Sequence, residues 1–287
     1  MLNPPLSLLP DDLLSCIVDH VAFASSKKNL YNLSITDRAF TRFCQAYFFK
    51  DLRLGYRSTN CILSKKLAKI RNILNDEPSI ANRVRAVYIT VADKQNNWLF
   101  NDPDFISIIQ FLSKSLMPPH KLHLTGYWDT FIIEDPIFVA EWLMQSFFSQ
   151  TLTVLELSGC ENVPLTLFLV CPNLREVYLK EVEVFDSGVD EYPDTQCSGR
   201  ESPALEILSY HYSERLVKQM ITPPPNFSMA VVVWSKLRVL KLCPADKNEM
   251  VCLQRILDAA CNTLEELYLT DEVKSYRKGK MWSFLSI

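Results

Sequence analysis

Histidine and cysteine side chains are the first candidates for metal binding and nucleophilic chemistry. The chain has four histidines and nine cysteines. His120 and His123 are the only close pair of histidines, and an extended segment turns residues three apart to opposite faces. No two cysteines form the CxxC pair of zinc ribbons and thioredoxin-like sites. The sequence therefore predicts no metal site. Four cysteines that lie in apolar patterns are interpreted as reduced, buried thiols: Cys16, Cys44, Cys171 and Cys252.

Nucleotide-binding and hydrolytic motifs are also missing from the sequence. The six glycines form no GxGxxG, and the pair Gly279-Lys280 has no partner glycine upstream. Neither GxSxG nor HExxH occurs, and the carboxylates are spread along the chain without forming an acid/base pair. The sequence therefore predicts a protein that is not an enzyme and needs no cofactor. A hydrolase or transferase site assembled from distant residues stays open as an alternative.

The charge of the chain is close to balance, with 30 Lys and Arg against 33 Asp and Glu. Nucleic-acid binding needs a basic excess that neutralises phosphates, so the composition argues against it. The N-terminal apolar stretch has no basic region before it, unlike a secretory signal. The longest apolar runs fall short of the ~20 residues of a membrane helix. We expect a soluble protein of the cytoplasm or nucleus, with no nucleic-acid or membrane partner.

The first fifty residues have the periodicity of three amphipathic helices. Leu9-Pro10-Asp11-Asp12 favours a helix start, because proline lacks an N–H group and the aspartates suit the positive end of the helix dipole. A short second helix contains Leu30 and Leu33, and either Thr36 or Asp37 can cap a third. Fifty residues form a small core, so an apolar surface on the first helix is expected to await a partner.

These residues resemble the F-box family. The stretch from Leu9 to Ile17 is similar to the family's opening Leu-Pro-x-(Asp/Glu)-Leu-Leu-x-x-Ile, and Leu30 to Phe40 is similar to its second block. Tyr47 to Leu54 resembles its closing aromatic and extended piece. The chain has Asp37-Arg38-Ala39 where the family often has Cys-Arg or Cys-Lys, and Phe or Tyr in place of a frequent Trp. The resemblance implies binding to a Skp-type adaptor through Leu9, Pro10, Leu13, Leu14, Ile17, Leu30 and Leu33.

A short apolar phrase, Leu-x-x-Leu-x-Leu, recurs through the rest of the chain. Leu122-His-Leu124 is a partial copy, and fuller copies begin at Val84, Leu152, Leu174, Leu205, Leu237 and Leu264. The last five begin 22, 31, 32 and 27 residues apart, which fits a strand, a turn and a helix per repeat. This phrase is typical of the leucine-rich repeat. It predicts an α/β fold in which a small three-helix F-box-like head precedes an irregular solenoid, with parallel strands on the concave face and helices outside. The alternative is a doubly wound α/β sheet.

These patterns divide the chain into three parts. Residues 1–54 are predicted to form the F-box-like helical domain, 55–83 a linker with a capping helix, and 84–287 the leucine-rich-repeat domain. Helices are predicted at Asn60 to Leu74, Asp104 to Leu116, Ile137 to Phe148, Pro164 to Val170 and Met250 to Ala260. The acidic insertion Asp186 to Pro203 is predicted to be a mobile loop, and Pro223 to Pro225 a stiff spacer.

In a solenoid, residues between the leucines of each strand point to one face and form a broad surface that a partner can bind. Tyrosine supplies large contact area at a small entropic cost, so Tyr88, Tyr178 and Tyr268 are predicted anchors. The predicted substrate-binding residues on this face are Tyr88, Glu156, Glu176, Tyr178, Lys180, His211, Lys241 and Tyr268.

The resemblance implies a function for the whole chain. F-box proteins are substrate-recognition adaptors of Skp–cullin–F-box ubiquitin ligases. The head would bind the Skp-type adaptor and through it cullin, and the repeats would hold a substrate protein of unknown identity. Other subunits would transfer ubiquitin, so this chain would contribute proximity alone. The alternative is a leucine-rich-repeat interaction scaffold that works without a ligase.

Overall fold

The computed structural model describes residues 9–24, 27–55, 60–91, 101–126, 131–133, 139–185, 201–223, 230–243 and 247–270. Most of the predicted acidic insertion, residues 186–200, lies outside this part of the chain, as do two of the three prolines predicted to form a spacer. Among the described residues, no helix is long and apolar enough to cross a membrane.

The N-terminal head consists of three helices, α1 (Asp11–Ala24), α2 (Lys27–Thr36) and α3 (Arg38–Phe48). Asp37 caps α3, because its side chain accepts a 2.9 Å hydrogen bond from the N–H of Ala39. The helices enclose their own small core of Leu14, Val18, Leu30, Phe40 and Cys44. Cys44 is therefore buried as expected, and so is Cys171 beyond the head. Cys252 is only partly buried, and the prediction for Cys16 was wrong, since it is exposed.

A parallel sheet follows the head. Its strands are β1 (Asp51–Leu54), β2 (Ala86–Val91), β3 (Lys121–Gly126), β4 (Phe131–Ile132), β5 (Val154–Val163), β6 (Glu176–Val184), β7 (Ile207–His211), β8 (Val239–Leu242) and β9 (Glu266–Leu269). Eight strands lie side by side in chain order, and the two-residue β4 pairs with β5 off this path. The predicted α/β class with parallel strands is confirmed. A doubly wound sheet reverses its strand order at a switch point, so this alternative does not fit.

Helices connect the strands. They are α4 (Asn60–Asp76), a 3-10 helix (Pro78–Arg83), α5 (Pro103–Ser113), a π-helix (Val139–Phe148), α6 (Thr166–Leu169), α7 (Glu214–Ile221) and α8 (Lys247–Ala260). The five helices predicted from the sequence are present with shifted ends. The 3-10 helix and α7 were not predicted.

The main core lies between the helices and one face of the sheet. Apolar residues of the recurring phrase, such as Ile89 and Leu122, belong to the same buried cluster as Ile108 and Leu112 of α5. The residues that alternate with them, such as Tyr88 and His123, are only half-buried. The helices therefore cover one face of the sheet. We call the other the open face.

Strand β1 belongs to the sheet. It was assigned to the head from the sequence, but Leu52 lies in register with Val87 of β2, and Leu54 with Ile89. Helix α4, assigned to a linker, contributes Leu67 to the main core. Strand β1 and helix α4 are thus the first strand–helix unit of the sheet. Leu52-Arg-Leu54 is the same half-phrase as Leu122-His-Leu124, and this was the signal for it.

Three neighbouring strands have a left-handed backbone conformation at equivalent positions, within β5 and β6 and directly after β7. Gly159, Glu181 and Tyr212 have φ angles of 60°, 54° and 50°. Each follows a residue that is paired in register with a neighbouring strand. The turn after β7 directs Ser213 inward, where only 1% of its surface is exposed. Its hydroxyl accepts a 3.0 Å hydrogen bond from the N–H of Val182 and donates to the carbonyl of His211.

Replacing Ser213 with alanine is expected to lower the free energy of unfolding by about 1–3 kcal/mol, because the buried N–H of Val182 loses its acceptor. Urea unfolding followed by circular dichroism measures this change. Ser209→Ala on the open face is the matched control and should change stability by less than about 0.5 kcal/mol. Equal losses for the two variants would contradict the role given to the Ser213 hydroxyl.

Candidate functional site

The open face carries one continuous row of side chains across all eight strands. In strand order the row contains Arg53, Tyr88, His123, Glu156, Tyr178, Ser209, Lys241 and Tyr268, and consecutive members are paired in register. We call it the middle row. Since neighbouring strands lie about 4.8 Å apart, it extends over roughly 34 Å. A surface of this length suits a macromolecular partner better than a small molecule.

All eight residues predicted to bind a substrate lie on the open face or its edge. Tyr88, Glu156, Tyr178, Lys241 and Tyr268 belong to the middle row. Glu176 lies two residues before Tyr178, and Lys180 and His211 are paired with each other two residues beyond the row. The register thus gathers the predicted set on one surface, while their role in binding stays a prediction.

Glu156, the fourth member of the middle row, binds two side chains of the neighbouring strand β3. One of its carboxylate oxygens is 2.6 Å from the Nζ atom of Lys121, and the other is 2.6 Å from the Nδ1 atom of His123. Burial lowers the pKa of Lys121, but the hydrogen bond and charge of Glu156 outweigh it, so the pKa is raised overall. Because both oxygens are occupied, Glu156 fixes the positions of Lys121 and His123 rather than presenting a free charge.

Tyr88 lies between this cluster and the first strand. Its ring centroid is 5.5 Å from that of His123, and the guanidinium carbon of Arg53 lies 5.3 Å from it on the other strand. Arg53 and His123 were absent from the predicted set. The missed signal was the place of His123 in the phrase, which is the same as that of Tyr88 in the preceding strand.

Tyr178 and Tyr268, in the second half of the row, form the same type of hydrogen bond within their own strands. Each hydroxyl donates to the glutamate two residues earlier, to Glu176 over 3.0 Å and to Glu266 over 2.6 Å. Burial, together with the hydrogen bond to Glu176, raises the pKa of Tyr178 to about 12. The Nζ atom of Lys241 lies 5.0 Å from the ring centre of Tyr268. The three tyrosines of the row are therefore held in place before any partner arrives, which lowers the entropic cost of binding.

The head presents a second surface, on helix α1. Leu13, Ile17 and Phe23 are 52%, 37% and 96% exposed. Cys16 and His20 are exposed beside them. At 100° per residue these five side chains occupy an arc of about 120° on one side of the helix. We call them the α1 stripe.

The seven residues predicted to bind an adaptor divide into two groups. Pro10, Leu13 and Ile17 are exposed, whereas Leu14 and Leu30 are 2% and 5% exposed inside the head core. Leu9 and Leu33 are partly buried against that core. The prediction that Leu14 and Leu30 bind an adaptor was therefore wrong. They lie on the sides of α1 and α2 that face the head core, and they hold the three helices together. Phe23 is an exposed residue of the same surface that the sequence reasoning missed.

In the described part of the chain, no group of three or more His, Cys, Asp or Glu side chains could hold a metal ion.

No protein-family model matches the chain, and no curated protein matches it. The two surfaces therefore have to be interpreted from their own chemistry.

Proposed function

We propose that the protein is the substrate-recognition adaptor of a Skp–cullin–F-box ubiquitin ligase. Its head binds the Skp-type adaptor through the α1 stripe, and the open face of its leucine-rich-repeat solenoid binds a substrate protein. The observation that carries the proposal is the exposure of Leu13, Ile17 and Phe23 on the helix whose residues resemble the opening of the F-box.

The exposed apolar side chains of α1 need an explanation. A soluble protein scatters single apolar residues over its surface, but a contiguous group of them marks an interaction site. Leu13 and Ile17 are one helical turn apart, and Phe23 extends the same side of the helix. On α2, Tyr31 and Ile35 are 58% and 66% exposed and also one turn apart. A partner helix or groove that covers α1 removes this apolar surface from water.

The connection between head and sheet fits a protein that holds two partners near each other. Helix α3 ends at Phe48 and β1 begins at Asp51, so the connection is short. Arg83 donates a hydrogen bond to the side chain of Gln45 on α3, and the backbone N–H of Arg85 donates to the carbonyl of Lys50. A substrate on the open face would thus be held at a defined distance from the ligase subunits bound to the head, which is how proximity accelerates transfer.

The double substitution Leu13→Asp plus Ile17→Asp is expected to weaken binding of the Skp-type adaptor by about 100-fold or more, because two carboxylates would have to enter an apolar interface. Isothermal titration calorimetry between the purified chain and a Skp-type adaptor measures the affinity. Both side chains are exposed, so the fold should be retained, as circular dichroism would show.

Leu116→Asp plus Met250→Asp is the matched control. It makes the same chemical change at two side chains that are 89% and 49% exposed and lie outside the head. This variant should bind the adaptor like the unaltered chain. If the unaltered chain does not bind the adaptor at all, the ligase proposal fails. The scaffold alternative would then be favoured, because the open face does not depend on the α1 stripe.

A further inference from the structure

We propose that the open face recognises an extended segment of about eleven residues, with large apolar side chains at every fourth position and acidic side chains opposite Arg53 and Lys241. The inference rests on the proposed role of the open face in protein binding, and it adds the chemistry of the partner. Three observations carry it: the spacing of the tyrosines, the cations Arg53 and Lys241 beside the first and last of them, and the pairing of Glu156 with Lys121 and His123.

The three tyrosines of the middle row are evenly spaced. Tyr88 lies on β2, Tyr178 on β6 and Tyr268 on β9, with two strands between each pair. Three inter-strand steps correspond to about 14 Å. Four residues of an extended chain cover roughly 13–14 Å. Four is an even number, so in an extended segment the side chains at these positions point to the same side and can all reach a tyrosine.

A helical partner does not fit this spacing. At 1.5 Å per residue, 14 Å corresponds to nine or ten helical residues. Residues nine or ten apart differ by about 180° or 80° around the helix, so the second anchor would point away from the sheet or sideways along it. The spacing of the tyrosines therefore favours an extended segment that crosses the strands along the middle row.

The two cations of the row lie one strand before the first and last tyrosine. Arg53 is in register with Tyr88, and Lys241 with Tyr268. Each lies over its tyrosine ring, and neither forms an ion pair with a carboxylate in the described part of the chain. With the apolar anchors at positions three, seven and eleven of the segment, Arg53 lies opposite position one and Lys241 lies nearest position nine. Acidic side chains at these two positions complete the charge complementarity.

Position five is the remaining position whose side chain points toward the sheet, and the side chains opposite it are already paired with each other. It lies opposite His123 and Glu156, whose side chains contact each other, and Glu156 also binds Lys121. A neutral polar residue fits there. Counted from the Arg53 end of the row, the pattern is therefore acidic, apolar, neutral, apolar, acidic, apolar at the six odd positions, and the segment can cross the row in either chain direction.

Selection of displayed random 16-residue peptides on the full chain tests this pattern. The expected result is enrichment of peptides with aromatic or large aliphatic residues at a four-residue period and acidic residues at the first and ninth positions. A selection repeated on Lys241→Glu should replace the acidic residue at position nine with Lys or Arg and leave the other positions unchanged. Lys218→Glu, at an exposed position of α7 outside the open face, is the matched control and should not change the preference at position nine.

Affinities of the best selected peptide give a second measure. Tyr88→Ala and Tyr268→Ala should each weaken binding by about tenfold, whereas Tyr88→Phe and Tyr268→Phe should stay within about threefold, because the ring supplies the contact area. Peptides with a helical period, an absence of enrichment, or an unchanged preference on Lys241→Glu would each overturn the inference. The variant with Leu13→Asp plus Ile17→Asp should bind the peptide normally. Loss of adaptor binding alone would therefore concern the proposed function, and loss of peptide selection alone would concern this inference.

Discussion

Gly55→Ala is expected to lower the free energy of unfolding by about 3–5 kcal/mol, a large part of the stability of an ordinary domain. Gly55 follows β1 with a φ of 105°, which side chains other than glycine rarely adopt. A Cβ atom there would lie 2.0 Å from the carbonyl oxygen of Thr90 and 2.8 Å from its nitrogen. Both atoms belong to the backbone of β2 and cannot rotate away, so β1 and β2 would have to separate.

Gly159→Ala is the control for the conformational part of this loss. Its φ of 60° also lies in the left-handed region, but the added Cβ would be 3.2 Å from the carbonyl oxygen of Gly126, a tight contact rather than an overlap. Glu181 and Tyr212 adopt the same conformation. We expect a loss of about 1–2 kcal/mol for this variant. Urea unfolding of the two variants compares them, and equal losses would show that the approach of Gly55 to β2 is not limiting.

The strands could be predicted because the phrase encodes their alternation. In Leu174-Arg-Glu-Val177-Tyr-Leu179, the apolar residues are buried and Tyr178 faces the other side. The same phrase also sets the register, since Tyr88, Tyr178 and Tyr268 occupy its fifth position and lie in one row. The α/β class and the open face could therefore be predicted from local sequence alone.

Elements with incomplete signals were missed or misplaced. β1 was predicted as an extended piece that closes the head, and its half phrase directly after a helical segment was too weak a signal for its pairing with β2. Helix α7 has eight residues, of which Leu216, Val217 and Met220 are buried. Eight residues make barely two turns, too few for a clear period. The stronger signal was topological, because parallel strands β7 and β8 need a crossover connection.

The contacts within the site needed the neighbouring strands. Lys121 and His123 are two residues apart on β3, and nothing in their own segment indicates that Glu156 binds both. The connection depends on β5 lying beside β3, and β3 carries only a partial phrase. In the head, the apolar residues of α1 cover so much of the helix that the sequence does not tell Leu14, in the core, from Leu13, at the surface.

Phe40→Ala is expected to destabilise the head by about 3–5 kcal/mol, because it removes the largest fully apolar side chain from a core with five buried members. The buried residues of the head and those of the sheet form two separate clusters. Loss of the first should therefore leave the second intact. Hydrogen exchange followed by mass spectrometry should show α1, α2 and α3 losing protection while β2 to β8 keep theirs. Phe105→Ala, in the main core, is the matched control and should affect the sheet.

The same variant separates the two surfaces by function. On the proposed function, Phe40→Ala should abolish binding of a Skp-type adaptor although Leu13 and Ile17 are unchanged, because the α1 stripe needs a folded head to keep its arc. Peptides selected on the open face should still bind, since the middle row is built on the sheet. Arg53 is the member closest to the head, so any loss of peptide binding should concern the acidic residue at position one first. If α1 to α3 and the sheet lost protection together, head and sheet would be one cooperative unit, and the connection between α3 and β1 would not separate two domains.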